Sequence, residues 1–465
     1  MSTANNLKFD ALDLSKELLT NLASLNYHQM TLIQAQSLPL ILEGLDVIAQ
    51  SKTGSGKTAA FGLGVLQKLN VKRFRVQSLI LCPTRELADQ VSKELRRLAR
   101  TVHNIKILTL CGGTAFGPQV GSLEHGAHII VGTPGRVEEH LRKGKLDLQN
   151  LSTFVLDEAD RMLDMGFSET IDAILKYVPS VRQTLLFSAT FPREIEAMTS
   201  KIMHAPQRVE NTETHSEDSI QQYVCRLEDE GDRITALRLI LLEIEPESTL
   251  VFCNTRKQVQ EVANELVAAN FSALALHGEL EQRSRDEILV RFSNKSASIL
   301  VATDVAARGL DIDELDLVIN HQIAPEQEVH IHRVGRTGRA GNKGQAFTLC
   351  TKREQFKLDK LEAFLNTSLE QRELANPELL SKPTFYPTMA TLQVDGGRKQ
   401  KVRPGDIVGA LTGKDGIAAT EVGKINVFER CTYVAVTQTK AKAALKKLSE
   451  GKLKGRSFRV RRIRG

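Results

Sequence analysis

Two short stretches carry residue types that can handle a nucleoside triphosphate. In "AQSKTGSGKT" (49–58), Gly54 and Gly56 let successive backbone N–H groups close around a phosphate, and the positive end of a following helix adds to the attraction. Thr53, Gly54, Ser55 and Gly56 would form the cradle, Lys57 would reach the β- and γ-phosphates, and Thr58 would hold Mg²⁺. Ser51 stands where the common GxxxxGK[ST] pattern begins with glycine. The second stretch, "VLDEAD" (155–160), sets Asp157 and Glu158 at the end of an apolar run, the first suited to the metal shell and the second to orienting an attacking water. An acidic pair after a strand is more often a solvated turn. With the phosphate cradle upstream in the same domain, the pair reads instead as a phosphoryl-transfer site, where catalysis rests on positioning and charge stabilisation.

Such side chains need rigid strand ends to hold them. Up to about residue 209 the runs "VQSLILCPT", "IKILTL", "AHIIVGT", "STFVLDEAD" and "QTLLFSAT" alternate with helical patterns. Each is of strand length, continuously apolar and closed by a polar turn, the pattern of parallel strands buried on both faces. The wholly polar "ENTETHSEDS" (210–219) reads as a linker. A second series follows in "STLVFCN", "SALALHG", "SILVATD", "LDLVINH" and "GQAFTLC". From about residue 386 the order becomes β-α-β-β-α-β, with strands at "TLQVDGG", "KINVFER", "TYVAVTQ" and "SFRVRRI". The sequence therefore predicts two tandem α/β domains with parallel sheets (1–209 and 220–375), linkers at 210–219 and 376–385, and a small α+β domain at 386–465.

Charge separates the same regions. Residues 386–465 hold 18 Lys+Arg against 6 Asp+Glu, a net +12, while the whole chain is only +6, so the first 385 residues are at −6. An acidic body with a basic tail points to a polyanionic partner. No run of about 18 apolar residues is present to span a bilayer, no strongly amphipathic helix accompanies the charge as a membrane-surface protein would require, and "MSTANNLKFD" lacks the features of a signal peptide. The six cysteines are scattered without a CxxC pair, as expected of buried thiols in a reducing cytoplasm.

At "DEAD" the sequence resembles the DEAD-box RNA helicases of superfamily two, and the family's motifs continue in order over about residues 9–375. The resemblance implies two RecA-like domains, an RNA-stimulated ATPase and a helicase that locally unpairs short duplexes, with ATP and Mg²⁺ as cofactors. Phe9 and "NYHQMTLIQ" (26–34) match the adenine-reading motif, which implies that Phe9 stacks on the ring and Gln34 contacts the base; Met30 replaces the usual proline before Thr31. "PTRELA" (83–88), "GG" (112–113) and "TPGR" (133–136) imply RNA-backbone contacts from Pro83, Thr84, Arg85, Gly112, Gly113, Thr133, Pro134, Gly135 and Arg136. In the second domain, "HG" (277–278) precedes "QRSR" (282–285), and "ATDVAARGLDID" (302–313) follows, giving the RNA contacts Gln282, Arg285, Thr303 and Asp304. Gly309 and Asp311 are implied at the ribose, and "HRVGRTGR" (332–339) supplies Arg336 and Arg339 as arginine fingers. Asp160, Ser188, Thr190 and His332 are implied to couple ATP state to RNA binding. With the phosphate loop in one domain and the fingers in the other, the family's active site is complete only on closure, so RNA and ATP should each strengthen binding of the other. Whether unwinding or an RNA-gated clamp is the main role stays open.

The tail resembles an RNA-recognition motif in element order but keeps little of its stacking signature. Tyr433 occupies one stacking position of "ERCTYVAV" (429–436), while Cys431 and Val436 stand where aromatics are usual. Two readings remain: Tyr433 packs into the core of a domain that does not bind RNA, or binding relies on basic loops and strand edges, which the net +12 favours, with Lys399, Lys401, Arg430, Arg456, Arg459 and Arg461 as candidates beside Tyr433. A core with a short basic domain resembles one bacterial subfamily. That resemblance implies recognition of a hairpin in large-subunit (23S) ribosomal RNA during assembly of the 50S particle; the oligomeric state is not legible in the sequence, and a monomer is the expectation.

Overall fold

Parallel strands satisfy their backbone groups through the ladder and leave Val, Ile and Leu side chains to be covered on both faces. In the computed structural model, which describes residues 8–51, 55–210, 220–307, 315–338 and 344–463, the apolar runs do this. Among the described residues the first sheet has seven strands: β1 (Val47–Gln50), β2 (Ser78–Leu81), β3 (Ile107–Leu110), β4 (Ile129–Gly132), β5 (Thr153–Asp157), β6 (Gln183–Ser188) and β7 (Gln207–Glu210). Their order is β3-β4-β2-β5-β6-β1-β7, all parallel. Adjacent residues of one strand enter opposite cores: Val155 packs with Phe61, Leu95 and Phe187, and Phe154 with Leu79, Ile130 and Leu186. β7 runs to Glu210, so the first residue of the expected linker belongs to the sheet; 211–219 lie outside the described residues.

The second sheet repeats the plan. Among the described residues it comprises β8 (Ile220–Leu227), β9 (Thr249–Phe252), β10 (Ala273–Leu276), β11 (Ile299–Ala302), β12 (Leu317–Asn320), β13 (Gly344–Thr351) and β14 (Glu370–Gln371), ordered β10-β11-β9-β12-β13-β8-β14 and parallel throughout. Residues 376–385, expected to link, are instead tied down: Leu379, Leu380 and Phe385 pack on the second core, and the Phe385 ring meets Phe271 edge-on at 5.9 Å. Apolar side chains in a nominal linker gain more from burial than from solvation.

The C-terminal domain is an antiparallel sheet of β15 (Met389–Val394), β16 (Val422–Val427), β17 (Thr432–Thr437) and β18 (Val460–Arg462), ordered β16-β17-β15-β18. Two helices, Pro404–Thr412 and Ala441–Glu450, cover one face through Ile407, Leu411, Ala444 and Leu448 against Leu392, Val394, Val434 and Val436. The chain divides into two compact units, one holding the first sheet and the other holding the second and third.

Two histidines of the second domain are buried as neutral rings. Burial, with Arg233 beside His321 and Arg333 beside His330, holds each down at about 4. His330 keeps one hydrogen bond, to Gln222 Oε1 at 3.0 Å. Between the ordinary value of 6.5 and about 4 the unfolded chain binds protons that the folded chain does not, so stability is present above pH 6.5 and falls with acidification. Each ring contributes about 3 kcal/mol across that window. Thermal unfolding from pH 7 to pH 4.5 should therefore show the second domain losing stability, with a shallower slope for His330→Gln.

Candidate nucleotide and RNA sites

All strands of the first sheet end at one edge, and the motif residues follow from those ends. β1 leads into the phosphate loop, β5 ends at Asp157, and β6 ends at Ser188. These three strands are neighbours in the order β5-β6-β1. Thr53 and Gly54 lie outside the described residues. Gly56 sits at φ +93° as the N-terminal cap of the Lys57–Lys68 helix, and a Cβ there would lie 2.5 Å from Gln34 Nε2. Only glycine allows both the left-handed turn and that approach. Gln34 is held at both ends: Oε1 accepts from Thr31 N–H at 2.9 Å, and Nε2 donates to the Gly56 carbonyl at 3.0 Å. Lys57, buried, donates to the Ser51 carbonyl at 2.8 Å, while the Ser51 and Ser55 hydroxyls meet at 2.8 Å. The serine in place of the first glycine thus stitches the loop across its base. Phe9, expected to stack on a base, is 4% exposed and edge-on to Tyr27 at 6.2 Å, so here it belongs to the core.

The acidic residues form a buried network. Burial pushes the Asp157 carboxyl up to about 7; Lys57 opposes the rise, Glu158 adds to it and Arg161 opposes it. A carboxylate so disfavoured as a bare anion, with the hydroxyl of Thr58 on the adjacent helix, is the hard oxygen set that Mg²⁺ takes alongside phosphate. Glu158 has φ 55° and its Oε2 lies 2.7 Å from Arg161 Nη1, both side chains being almost fully buried. Asp160 joins two strand ends: its Oδ2 accepts from the Thr190 N–H and hydroxyl, each at 2.9 Å, and from Ala189 N–H at 3.2 Å. Ser188 Oγ accepts from Asp160 N–H at 3.2 Å and donates to the Thr190 carbonyl at 2.8 Å. Asp160, Ser188 and Thr190, the residues expected to couple nucleotide to RNA, are therefore one hydrogen-bonded cluster.

The RNA candidates occupy the other half of the same edge, after the adjacent strands β3, β4 and β2. Thr84 caps the Arg85–Leu98 helix, accepting from Leu87 N–H at 3.2 Å. Arg85 lies across Gly112 and Gly113: a Cβ at Gly113, whose φ is +73°, would fall 1.6 Å from Arg85 Nη1. Thr133, Pro134, Gly135 and Arg136 open the next helix, with Gly135 facing open space. Arg136 is anchored by Thr114 O at 3.1 Å and Gln119 Oε1 at 2.8 Å.

In the second sheet the matching strands are again neighbours, β10 leading to Gln282 and Arg285 and β11 to Thr303 and Asp304. Arg285 Nη1 reaches the His277 carbonyl at 3.4 Å. Both Asp304 carboxylate oxygens are taken by Arg333, at 2.6 and 2.7 Å, and Arg333 also binds Gln322 O and Asn254 Oδ1. Asp304 is thus a fixed strut beside the expected RNA path, not an open acceptor. His332 lies on the Gln327–Val334 helix and Arg336, buried, just after it; Gly309, Asp311 and Arg339 lie outside the described residues. Sequence reading missed Arg161 and Arg333. The first had a signal, its i+3 spacing from Glu158; the second stands inside the quoted "HRVGRTGR" stretch, but its pairing with Asp304, 29 residues away in sequence, could not be read from spacing.

At the C-terminal domain three loops meet at one end of the sheet. Lys399 N–H bonds Glu429 O at 3.0 Å, Asp395 N–H bonds Arg459 O at 2.9 Å, and Lys454 Nζ bonds Lys401 O at 2.8 Å. Lys399, Lys401, Arg430, Arg456 and Arg459 are thereby gathered, all exposed. Tyr433 and Arg461 are not part of this group. Tyr433 is 2% exposed, so no open stacking platform exists there, and Arg461 turns to Gln393 Oε1 at 2.8 Å. No metal-binding cluster of His, Cys, Asp and Glu occurs among the described residues, and no described helix is long and apolar enough to cross a membrane.

Comparison with known proteins agrees with this division. Residues 31–198 match the DEAD/DEAH box helicase family, 232–341 the helicase conserved C-terminal domain, and 391–462 the DbpA RNA binding domain. The chain is 51% identical over 446 residues to the ATP-dependent RNA helicase DbpA of Escherichia coli K12, covering 96% of this chain and 97% of that one. It is 36% identical over 473 residues to the Bacillus subtilis DbpA, covering 97% and 98%. Among solved structures, Saccharomyces cerevisiae Dbp5 bound to RNA and ADP BeF3 aligns with a TM-score of 0.71 at 30% identity, covering 79% of this chain and 96% of that one. Mss116p bound to single-stranded RNA and AMP-PNP aligns with a TM-score of 0.73 at 28% identity, covering 82% of each.

Two substitutions test the geometry. Asp160→Ala strips the acceptor from four donors, the N–H groups of Arg161, Ala189 and Thr190 and the Thr190 hydroxyl, and should cost about 3 kcal/mol of stability, abolish RNA stimulation of ATPase and leave ATP binding within a few fold, as read by calorimetry and steady-state kinetics. Gly113→Ala drives Arg85 from its seat, so the RNA concentration for half-maximal ATPase should rise about tenfold while the KM for ATP stays put.

Proposed function

The chain belongs to the DEAD-box ATP-dependent RNA helicases of the DbpA type, and from that premise we propose that its C-terminal domain targets a hairpin in 23S ribosomal RNA so that the core remodels nearby helices during 50S assembly. The observation that carries this reading is the gathering of Lys399, Lys401, Arg430, Arg456 and Arg459 at one end of the third sheet, in a domain matching the DbpA RNA binding domain. Phosphate contacts from such a group position an RNA without reading its sequence, and loops at a sheet end fit a folded hairpin better than an extended strand.

In the core, the phosphate loop with Lys57 holds the triphosphate, Thr58 and Asp157 hold Mg²⁺, and Glu158 orients the attacking water. The metal neutralises charge on the phosphate oxygens when bound. Arg336 and Arg339 act as the arginine fingers. Thr84, Arg85, Gly112, Gly113 and Thr133 to Arg136 carry the RNA backbone, joined by Gln282, Arg285 and Thr303, with Asp304 held by Arg333 as a strut beside them, and the Asp160 cluster transmits nucleotide state. The protein works in the cytoplasm as a monomer.

Steady-state ATPase should be low without RNA, moderate with generic RNA, and highest with a 23S fragment carrying the hairpin. Lys399→Glu, Arg430→Glu and Arg456→Glu combined should erase the preference for the fragment, keep generic stimulation, and flatten the salt dependence by about one unit of slope per lost contact. Equal stimulation of the unaltered protein by both RNAs would refute the targeting.

A further inference from the structure

The two central strands of the third sheet, β15 and β17, are buried on both faces. Its helices cover Leu392 and Val434, yet the opposite face is buried too: Thr391, Gln393, Tyr433 and Ala435 are each 2% exposed or less. What covers them is the second α/β domain of the same unit, through its Gln282–Ser293 helix and the turn after it. The Thr391 hydroxyl takes a hydrogen bond from Asn294 Nδ2 at 3.1 Å and meets Ser296 Oγ at 2.7 Å. Met389 N–H reaches the Lys295 carbonyl at 3.4 Å, Lys424 Nζ donates to Ser293 Oγ at 3.1 Å, and Arg461 lies 3.9 Å from Glu287. Tyr433 sits near Glu287 and Arg283, and Cys431 near Arg283 and Asp286.

We propose that this sheet face is a permanent docking surface for the Gln282–Ser293 helix, and that it fixes the RNA-holding end of the C-terminal domain at a set distance from the RNA contacts of the core. The helix carries both jobs. Its first turn bears Gln282 and Arg285, and along its length of about 18 Å it presents Arg283, Glu287 and Ser293 to the sheet. Buried hydroxyls and amides that find partners across the face specify one docked pose, because any slip leaves them unsatisfied. A short stiff connection between two RNA contacts raises the effective concentration of the second for RNAs of matching span and withholds it from others. The tail therefore sets both which RNA is engaged and how far from the hairpin the core acts. This rests on the proposed role of the basic end as the hairpin site.

The test uses the full chain. Ser296→Cys with Thr391→Cys places two thiols where the hydroxyls now touch, and each single variant is the control for the native cysteines. Substrates are 23S fragments in which the hairpin and a short duplex are separated by increasing numbers of nucleotides. Expected are ready cross-linking on oxidation, undiminished duplex displacement by the cross-linked protein, and a displacement optimum at one spacing. Thr391→Arg should keep hairpin binding and generic-RNA ATPase while losing the spacing optimum, by up to about 10²-fold at the favoured spacing. Should Thr391→Arg unfold, Glu287→Arg on the partly exposed helix surface carries the same expectation. Loss of displacement on cross-linking would show that the docked pose must open, and an unchanged optimum in the undocked variants would show that it sets no distance; either overturns the proposal. If the unaltered protein ignores the hairpin altogether, the targeting fails, while cross-linking and activity of the locked protein still decide the docking.

Discussion

Parallel pairing imposes one constraint from which the rest follows: every strand of a large sheet ends at the same edge. Ladder hydrogen bonds engage the backbone along β1 to β7, so the side chains free to do chemistry are those just past the strand ends, where the loops turn back. That edge is divided. β5, β6 and β1 lead to the residues expected at the nucleotide, and β3, β4 and β2 to those expected at the RNA. Where β5 and β6 meet, the Asp160 carboxylate ties the two loops together through Thr190 and Ala189. A change at Asp157 or Glu158 is thus two or three residues and one buried carboxylate away from the loop after β6. Packed interiors pass on such displacements because they have little slack.

Most of this was legible in the sequence because its signals are local. A glycine-rich loop after an apolar run, or an acidic pair at a strand end, can be read from a window of ten residues. What escaped was long-range or weakly patterned. β7, an edge strand with Val209 as its one buried residue, looks polar, and β8 carries Gln221 and Gln222 directly after its first residue, Ile220. Residues 376–385 read as a linker although their Leu and Phe side chains belong to the second core. The division of the edge depends on strand order, which no strand announces. Arg333 and Asp304 each stand in a quoted motif, but that the two meet was not legible for the same reason.

The tail shows the limit from the other side. Its basic charge was visible, and so was the erosion of the stacking signature around Tyr433. Unreadable was the cause that the structure supplies. Thr391, Gln393 and Ala435 alternate with core residues and look like an ordinary half-polar strand face, but they are covered by another domain. A face given over to docking has no need of exposed aromatics, so charge at the sheet end and polarity on the sheet face are separate facts with separate consequences.

Gln34 shows how a fixed amide can discriminate. An amide side chain has two N–H groups and two lone pairs; here one N–H is engaged by the Gly56 carbonyl and one lone pair by the Thr31 N–H. It cannot flip without breaking both. What remains is one donor beside one acceptor, in a set order. Adenine offers the complement with N7 as acceptor and N6 as donor, whereas guanine offers acceptors at both positions. If Gln34 meets the base, as the family resemblance implies, the loop expected to grip phosphate also fixes the side chain that sorts purines, and guanine would be turned away by a lone pair facing a lone pair.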